Sequence, residues 1–230
     1  MPALSLQGRR IVVTGGLGVL GRRTGEVLGL LGASVALLDQ ATSGPVPGAT
    51  VLGGVDLTDA AAARQAMDQV VGGLGGLDGL VNVAGGFAWE AFDGGAIDTW
   101  DRMYAVNLRT AVLASQAALP HLLRSPAAAI VNVGAAAAAR AGTGMGAYAA
   151  AKAGVARLTE AMADEFKPRG LRVNAVLPSV LDTPANRTDM PDDDPARWVT
   201  PEQLARVIAF LLSDDAAAVT GACLPVTGRV

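Results

Sequence analysis

Short apolar runs alternate with longer stretches of helical periodicity along the chain, the pattern of a parallel sheet covered by helices on both faces. The apolar runs predict strands over 10–14, 34–38, 50–53, 79–83, 129–133, 172–177 and 222–226. Apolar positions recurring every three or four residues predict helices over 19–31, 59–72, 97–123, 146–167 and 201–212. Thr200 before Pro201 marks the start of the last helix, a hydroxyl cap followed by a proline at the first turn. No linker divides this series. The expected fold is α/β, one Rossmann-type domain over 1–230 with a doubly wound seven-stranded parallel sheet. The rhythm breaks at 182–200, where acids and prolines cluster without periodicity. Long irregular segments in compact domains commonly carry function, and this one follows the sixth strand at its carboxyl end, where open α/β sheets bind ligands. It is expected to be a substrate lid.

Composition narrows the function. A chain of 230 residues, 51% of them hydrophobic, can bury about three-quarters of its unfolded surface in one core. Net charge is −3 and no basic stripe appears, which argues against a nucleic-acid partner. Cys223, the single cysteine, has no partner for an internal disulfide, and His121 alone leaves no His/Cys cluster for a metal. Both suit a reducing cytoplasm. His121 is expected to be structural. The start, 1–8, lacks the layout of a signal peptide, and charged residues interrupt each apolar run before it reaches membrane-spanning length.

The chemistry begins at the first strand-to-helix turn. Gly15, Gly16, Leu17, Gly18, Val19, Leu20 and Gly21 carry a GxGxxG spacing, in which glycines let backbone N–H groups approach a pyrophosphate at a helix N-terminus. Asp39 ends the second strand, placed to accept hydrogen bonds from ribose hydroxyls and repel a 2′-phosphate. No Arg or Lys follows at 40–43, so NAD is expected over NADP, although Arg22 or Arg23 lies within reach of a phosphate. Further along, Tyr148 and Lys152 stand four residues apart, one above the other on one helical face. A nearby ammonium favours a phenolate and is expected to lower the Tyr148 pKa.

Together these residues resemble the short-chain dehydrogenase/reductase family. Thr14–Gly21 resembles its glycine loop, Asp56-Leu57 its Asp-plus-apolar pair beside the adenine, and Asn82-Val83-Ala84-Gly85 its NNAG motif. Asn107 stands where the family keeps a helix-kinking Asn that feeds a proton relay, and Tyr148 and Lys152 match the catalytic pair. The segment from Asn174 through Pro178, Ser179, Leu181 and Thr183 resembles the one that clasps the nicotinamide carboxamide. The resemblance implies a homodimer or homotetramer and a small-molecule substrate. Two positions depart from the pattern. Ala135 replaces the substrate-polarising Ser thirteen residues before the Tyr, and Ser179 replaces a glycine.

The quinonoid dihydropteridine reductase branch of the family also lacks that Ser. Val83-Ala84-Gly85-Gly86 with Phe87, Gly142-Thr143-Gly144-Met145 before Tyr148, and Leu181-Asp182-Thr183-Pro184 with Met190 and Trp198 resemble its motifs, whereas Asn107 does not. The likeness implies NADH-dependent reduction of a quinonoid dihydropterin or another conjugated acceptor. Phe87, Trp89, Ala135, Met145 and Trp198 are the pocket candidates; for the aromatics, lid or core packing is the alternative. Asp192–Asp194 reads as a solvated acid run, and Thr143 is a weaker substitute for the missing hydroxyl. Two other functions stay open: a carbonyl or 3-oxoacyl reductase, and a catalytically silent nucleotide-binding dimer. Intact Tyr148, Lys152 and Asn107 argue against silence.

Overall fold

The computed structural model describes residues 4–42 and 46–230. The first three residues, part of the start read for a signal peptide, and Ser43, the last of the stretch read for a phosphate-binding cation, lie outside the described residues.

The strands are β1 (Arg10–Thr14), β2 (Ser34–Leu38), β3 (Ala49–Leu52), β4 (Gly79–Asn82), β5 (Ala129–Val133), β6 (Arg172–Pro178) and β7 (Cys223–Val226). They form one parallel sheet in the order β3-β2-β1-β4-β5-β6-β7. The order reverses between β1 and β4, which opens a crevice at their carboxyl ends. The helices are α1 (Val19–Leu30), α2 (Ala60–Leu74), α3 (Ile97–Tyr104), α4 (Thr110–Leu122), α5 (Gly146–Phe166), α6 (Pro184–Asp189) and α7 (Pro201–Leu212).

Side chains on a strand alternate between faces, and buried strands feed two cores. Ile11, Val13, Val35, Leu37, Val81 and Val131 pack with α1 and α7 on one face. Val12, Ala36, Leu38, Leu80 and Ile130 pack with α2, α4 and α5 on the other. The amino-terminal edge is stapled by arginines. Arg10 forks onto Asp78, which also accepts from the Ser125 hydroxyl, and Arg9 reaches the Ala127 carbonyl and Asp214. Arg172 donates to the carbonyls of Leu211 and Ser213.

Element ends shift for local reasons. Asp59 is the cap of α2 rather than its first residue, accepting from the Ala62 N–H, and Gly75 ends that helix in the left-handed region. The helix expected over 97–123 is interrupted by a π-helical turn at Ala105–Arg109. There the Asn107 amide donates to the Met103 carbonyl, inserting a side chain into the helical ladder. The expected irregular segment at 182–200 contains α6, started by Thr183, whose side chain accepts from the Asn186 N–H, with Pro184 in the first turn. Thr200 caps α7 as expected, in a reciprocal box with Gln203. His121 bridges α4 to Asp68 of α2.

Candidate active site

Each nucleotide candidate sits just past the carboxyl end of a strand. After β1, Gly15 adopts φ +62°, and a Cβ there would lie 2.7 Å from the Ala84 nitrogen; only glycine allows the two loops to touch. Gly21 packs its Cα against the Gly15 carbonyl, bringing α1 hard onto the loop. Gly18, Val19 and Leu20 then present the start of α1, which has no capping side chain and no acid in its first turn. Such a helix end suits an anion. After β2, the Asp39 carboxylate accepts from the Leu17 N–H at 2.8 Å and the Ala41 N–H at 2.9 Å, which ties it to the glycine loop. After β3, Asp56 accepts from the Thr58 hydroxyl and N–H, which hold its pKa below the usual carboxylate range, and Leu57 is buried beside it. This cradle fits a dinucleotide: close-packed glycines, an uncapped helix start and an acid after the neighbouring strand tied to the glycine loop.

The chemical half gathers around the ends of β4 and β5. Thr14 accepts from the Val83 and Ala84 N–H groups at 3.2 Å each and shapes the β4 loop. Asn82 donates to Ser115 and Asn132, and Asn132 to Thr159 of α5, a buried chain that locks α5 to the sheet. Asn107 clamps Gly86 twice, accepting its N–H at 3.2 Å and donating to its carbonyl at 3.0 Å. Lys152, 5% exposed, donates to the Val133 carbonyl at 2.8 Å. A Cβ on Gly85 would lie 2.7 Å from Asn107 Oδ1 and 3.4 Å from Lys152 Nζ, so both side chains converge on the space that glycine leaves.

The Tyr148 pKa departs from expectation. Lys152 Nζ stands 5.9 Å from the Tyr148 ring centroid. Burial outweighs the ammonium at that range and pushes the phenol up to about 12, not down. The same burial lowers Lys152 to about 8. In this state the phenol keeps its proton at neutral pH.

The pocket candidates divide. Phe87, 55% exposed, sets its ring edge-on to Tyr148 with centroids 5.0 Å apart. Ala135 is 5% exposed at the β5 end, and Met145 is half-buried directly before α5. Trp89, 62% exposed, lays its indole over Gly144. Trp198 is 5% exposed, in the turn where the Arg197 carbonyl accepts from the Arg229 N–H, and this burial favours its core alternative over a pocket wall. Pro178, the last residue of β6, is buried; beyond it the Ser179 hydroxyl donates to the Thr227 carbonyl, and Leu181 bridges Val199. Asn186 donates to the Leu181 carbonyl, and Arg187 forks onto Asp182, so the segment around Thr183 is folded back on itself. Thr143 is exposed. Among the described residues no group of three or more His, Cys, Asp or Glu could hold a metal, and no helix is long and apolar enough to cross a membrane.

Sequence reasoning missed Thr14, Asn132 and Thr159 as supports of the site. Polar residues inside otherwise apolar strands and helices were the available signal, since a buried polar group must find a partner.

The sequence profile described as Enoyl-(Acyl carrier protein) reductase matches residues 20–228. The chain belongs to the short-chain dehydrogenase/reductase family. It is similar to 2-(S)-hydroxypropyl-CoM dehydrogenase 3 of Xanthobacter autotrophicus, 35% identical over 97% of this chain and 96% of that one. The inactive 2-(S)-hydroxypropyl-CoM dehydrogenase 2 of the same organism is 39% identical over 86% of this chain and 94% of its own length. Among solved structures, carveol dehydrogenase from Mycobacterium avium in complex with NAD superposes with a TM-score of 0.85, at 27% identity and 97% coverage of each chain. This short-chain dehydrogenase/reductase is therefore an NAD(P)-dependent oxidoreductase on the Rossmann fold. None of the three is named for a pterin, so the resemblance to the dihydropteridine reductase branch gains no support from them.

Proposed function

We propose that this enzyme reduces a small conjugated acceptor with a hydride from NADH. The observation that carries the reading is the bare end of β5: Gly134 and Ala135–Ala139 offer no hydroxyl where a carbonyl oxygen would need a second donor. A ketone develops alkoxide charge as it is reduced, and losing one oxyanion donor costs about 3 kcal/mol of transition-state stabilisation. A conjugated ring system delocalises the incoming charge and needs that donor less.

The dinucleotide, when bound, supplies the hydride. Gly15–Gly21 and the α1 start receive its pyrophosphate, Asp39 its ribose, and Asp56 with Leu57 flanks the adenine. Val83, Ala84 and Gly85 line the β4 side, and Pro178, Ser179, Leu181 and Thr183 the nicotinamide side. Tyr148 donates a proton to the reduced acceptor. A phenol held near 12 carries its proton at neutral pH but is a weak acid there, so its transfer depends on the basicity of the reduced acceptor. Lys152 spends one N–H on Val133 and keeps two for the ribose. It sits close enough to neutrality to restore the proton, with Asn107 beside it. Residues 182–200 act as the lid, and the enzyme works as a homo-oligomer on a small-molecule substrate.

A second reading is oxidoreduction at a secondary alcohol or its ketone, favoured by the relative named for 2-(S)-hydroxypropyl-CoM. NADH oxidation tested with quinonoid dihydropterin, a simple quinone, an acetoacetyl thioester and a small aliphatic ketone separates the two. The proposal expects the first pair to turn over well and the second pair poorly. Preference for the ketones would replace it with the second reading, and turnover of none would leave a silent binder, as one relative's name describes.

A further inference from the structure

The amino end of α5 carries Tyr148 within its first turn, yet its cap residue Met145 makes no side-chain capping bond. A helix start without a cap frays unless tertiary contacts hold it. Several such contacts come from residues 87–100, the connection leaving β4 and the first turn of α3. The Glu90 N–H donates to the Gly144 carbonyl at 2.9 Å. The indole of Trp89 covers Gly144, where an added Cβ would lie 2.7 Å from ring atom Cδ2 and closer still to Cε2 and Nε1. Trp100 stands over Gly146, 3.3 Å from where a Cβ would be, and Phe87 stands over Tyr148. Residues 144, 146 and 148 are thus each roofed by one aromatic ring from 87–100.

We propose that Trp89 and Gly144 form a latch that positions the first turn of α5, and through it Tyr148. Gly144 serves twice: its φ of +71° shapes the turn, and its missing side chain is the seat of the indole. Trp89 remains mostly in solvent while its indole covers Gly144. Trp89 is a positioning residue; it hydrogen-bonds no group assigned to the dinucleotide. The inference takes Tyr148 as the proton donor of the reading above.

The test compares the parent enzyme with Trp89→Ala and Trp89→Phe by hydrogen exchange, NADH titration and turnover of whichever acceptor the parent accepts. Trp89→Ala is expected to raise exchange in 144–150 while leaving β5 and α4 unchanged. It should lower kcat about ten- to hundred-fold, the cost of misplacing a reacting group by about 1 Å. NADH affinity should hold, and Trp89→Phe should restore most of the loss by returning a flat ring to the seat. Unchanged exchange in 144–150, or exchange rising equally across the chain, would overturn the latch. A parent enzyme that turns over none of the acceptors would sink the functional reading alone, because the exchange comparison needs no substrate.

Discussion

At position 135 a methyl group stands where the family keeps a hydroxyl, and that exchange is the most informative single residue in the chain. Ala135→Ser is expected to leave turnover of a conjugated acceptor little changed. The same substitution should raise ketone reduction about ten- to hundred-fold, the effect of one added oxyanion donor, as read by kcat/KM on a small aliphatic ketone. Tyr148→Phe should abolish most turnover on any substrate while NADH still binds, since the lost phenol donates a proton and holds no phosphate. Asp39 gives a separate test. Its carboxylate already orders the glycine loop through Leu17, so Asp39→Ala should weaken NADH binding more than NADPH binding and narrow the preference, measured by titration of both. The glycines, Asp39, Tyr148 and Lys152 were legible because their chemistry is written in spacing. The ionisation of Tyr148 was not, because spacing places the ammonium near the phenol but says nothing of how little water reaches either. Trp198 was ambiguous for the same reason: an aromatic looks alike in sequence whether it lines a pocket or fills a core.

Helix and strand cores were readable from periodicity, and the misses lie where one side chain overrides it. Periodicity alone reads Asn107 as one more polar residue on a long helix, and only the family resemblance marks it as a helix-kinking Asn; its amide reaches the Met103 and Gly86 carbonyls within a π-helical turn. Thr183-Pro184 has the same start signal as Thr200-Pro201, but the stretch after it is too short to show a period, so α6 was hidden. That helix changes what is expected of the lid. Arg187 on Asp182 and Asn186 on Leu181 fold the segment on itself, and the Leu181–Val199 bridge closes its two ends, with Val199 buried in the core. Binding of NAD should slow hydrogen exchange across 182–200 as one block, with α6 and the bridge protected together. Equal exchange in the free and bound forms would remove the lid assignment.

Across the molecule, the seven-stranded parallel sheet with helices on both faces followed from the alternation of strands and helices, and the residues that hold its amino-terminal edge were invisible to pattern. Asp78 shows why. Burial alone would raise its carboxyl, but hydrogen bonds from the Arg10 side chain, Ser125 and the Arg10 backbone outweigh it and hold the pKa at about 2. A carboxyl whose folded value lies below its unfolded one stabilises the protein fully above about pH 4, and that stability drains away as pH falls toward 2. The linkage amounts to roughly 2 kcal/mol. Asp78→Asn should therefore melt at lower temperature at pH 7 and lose the parent's added steepness between about pH 4 and 2, as followed by thermal melts across that range.

The arginine staples of Arg9, Arg10 and Arg172 have a wider consequence. They lie at one end of every strand they touch, and every residue assigned to chemistry lies past the other end. Selection can then act on the two ends separately. Loops at the carboxyl edge are freer to diverge toward new substrates, including through changes as drastic as a lost hydroxyl at 135, because the arginine staples share no residue with them. A chain divided in this way can change its trade without first renegotiating its survival.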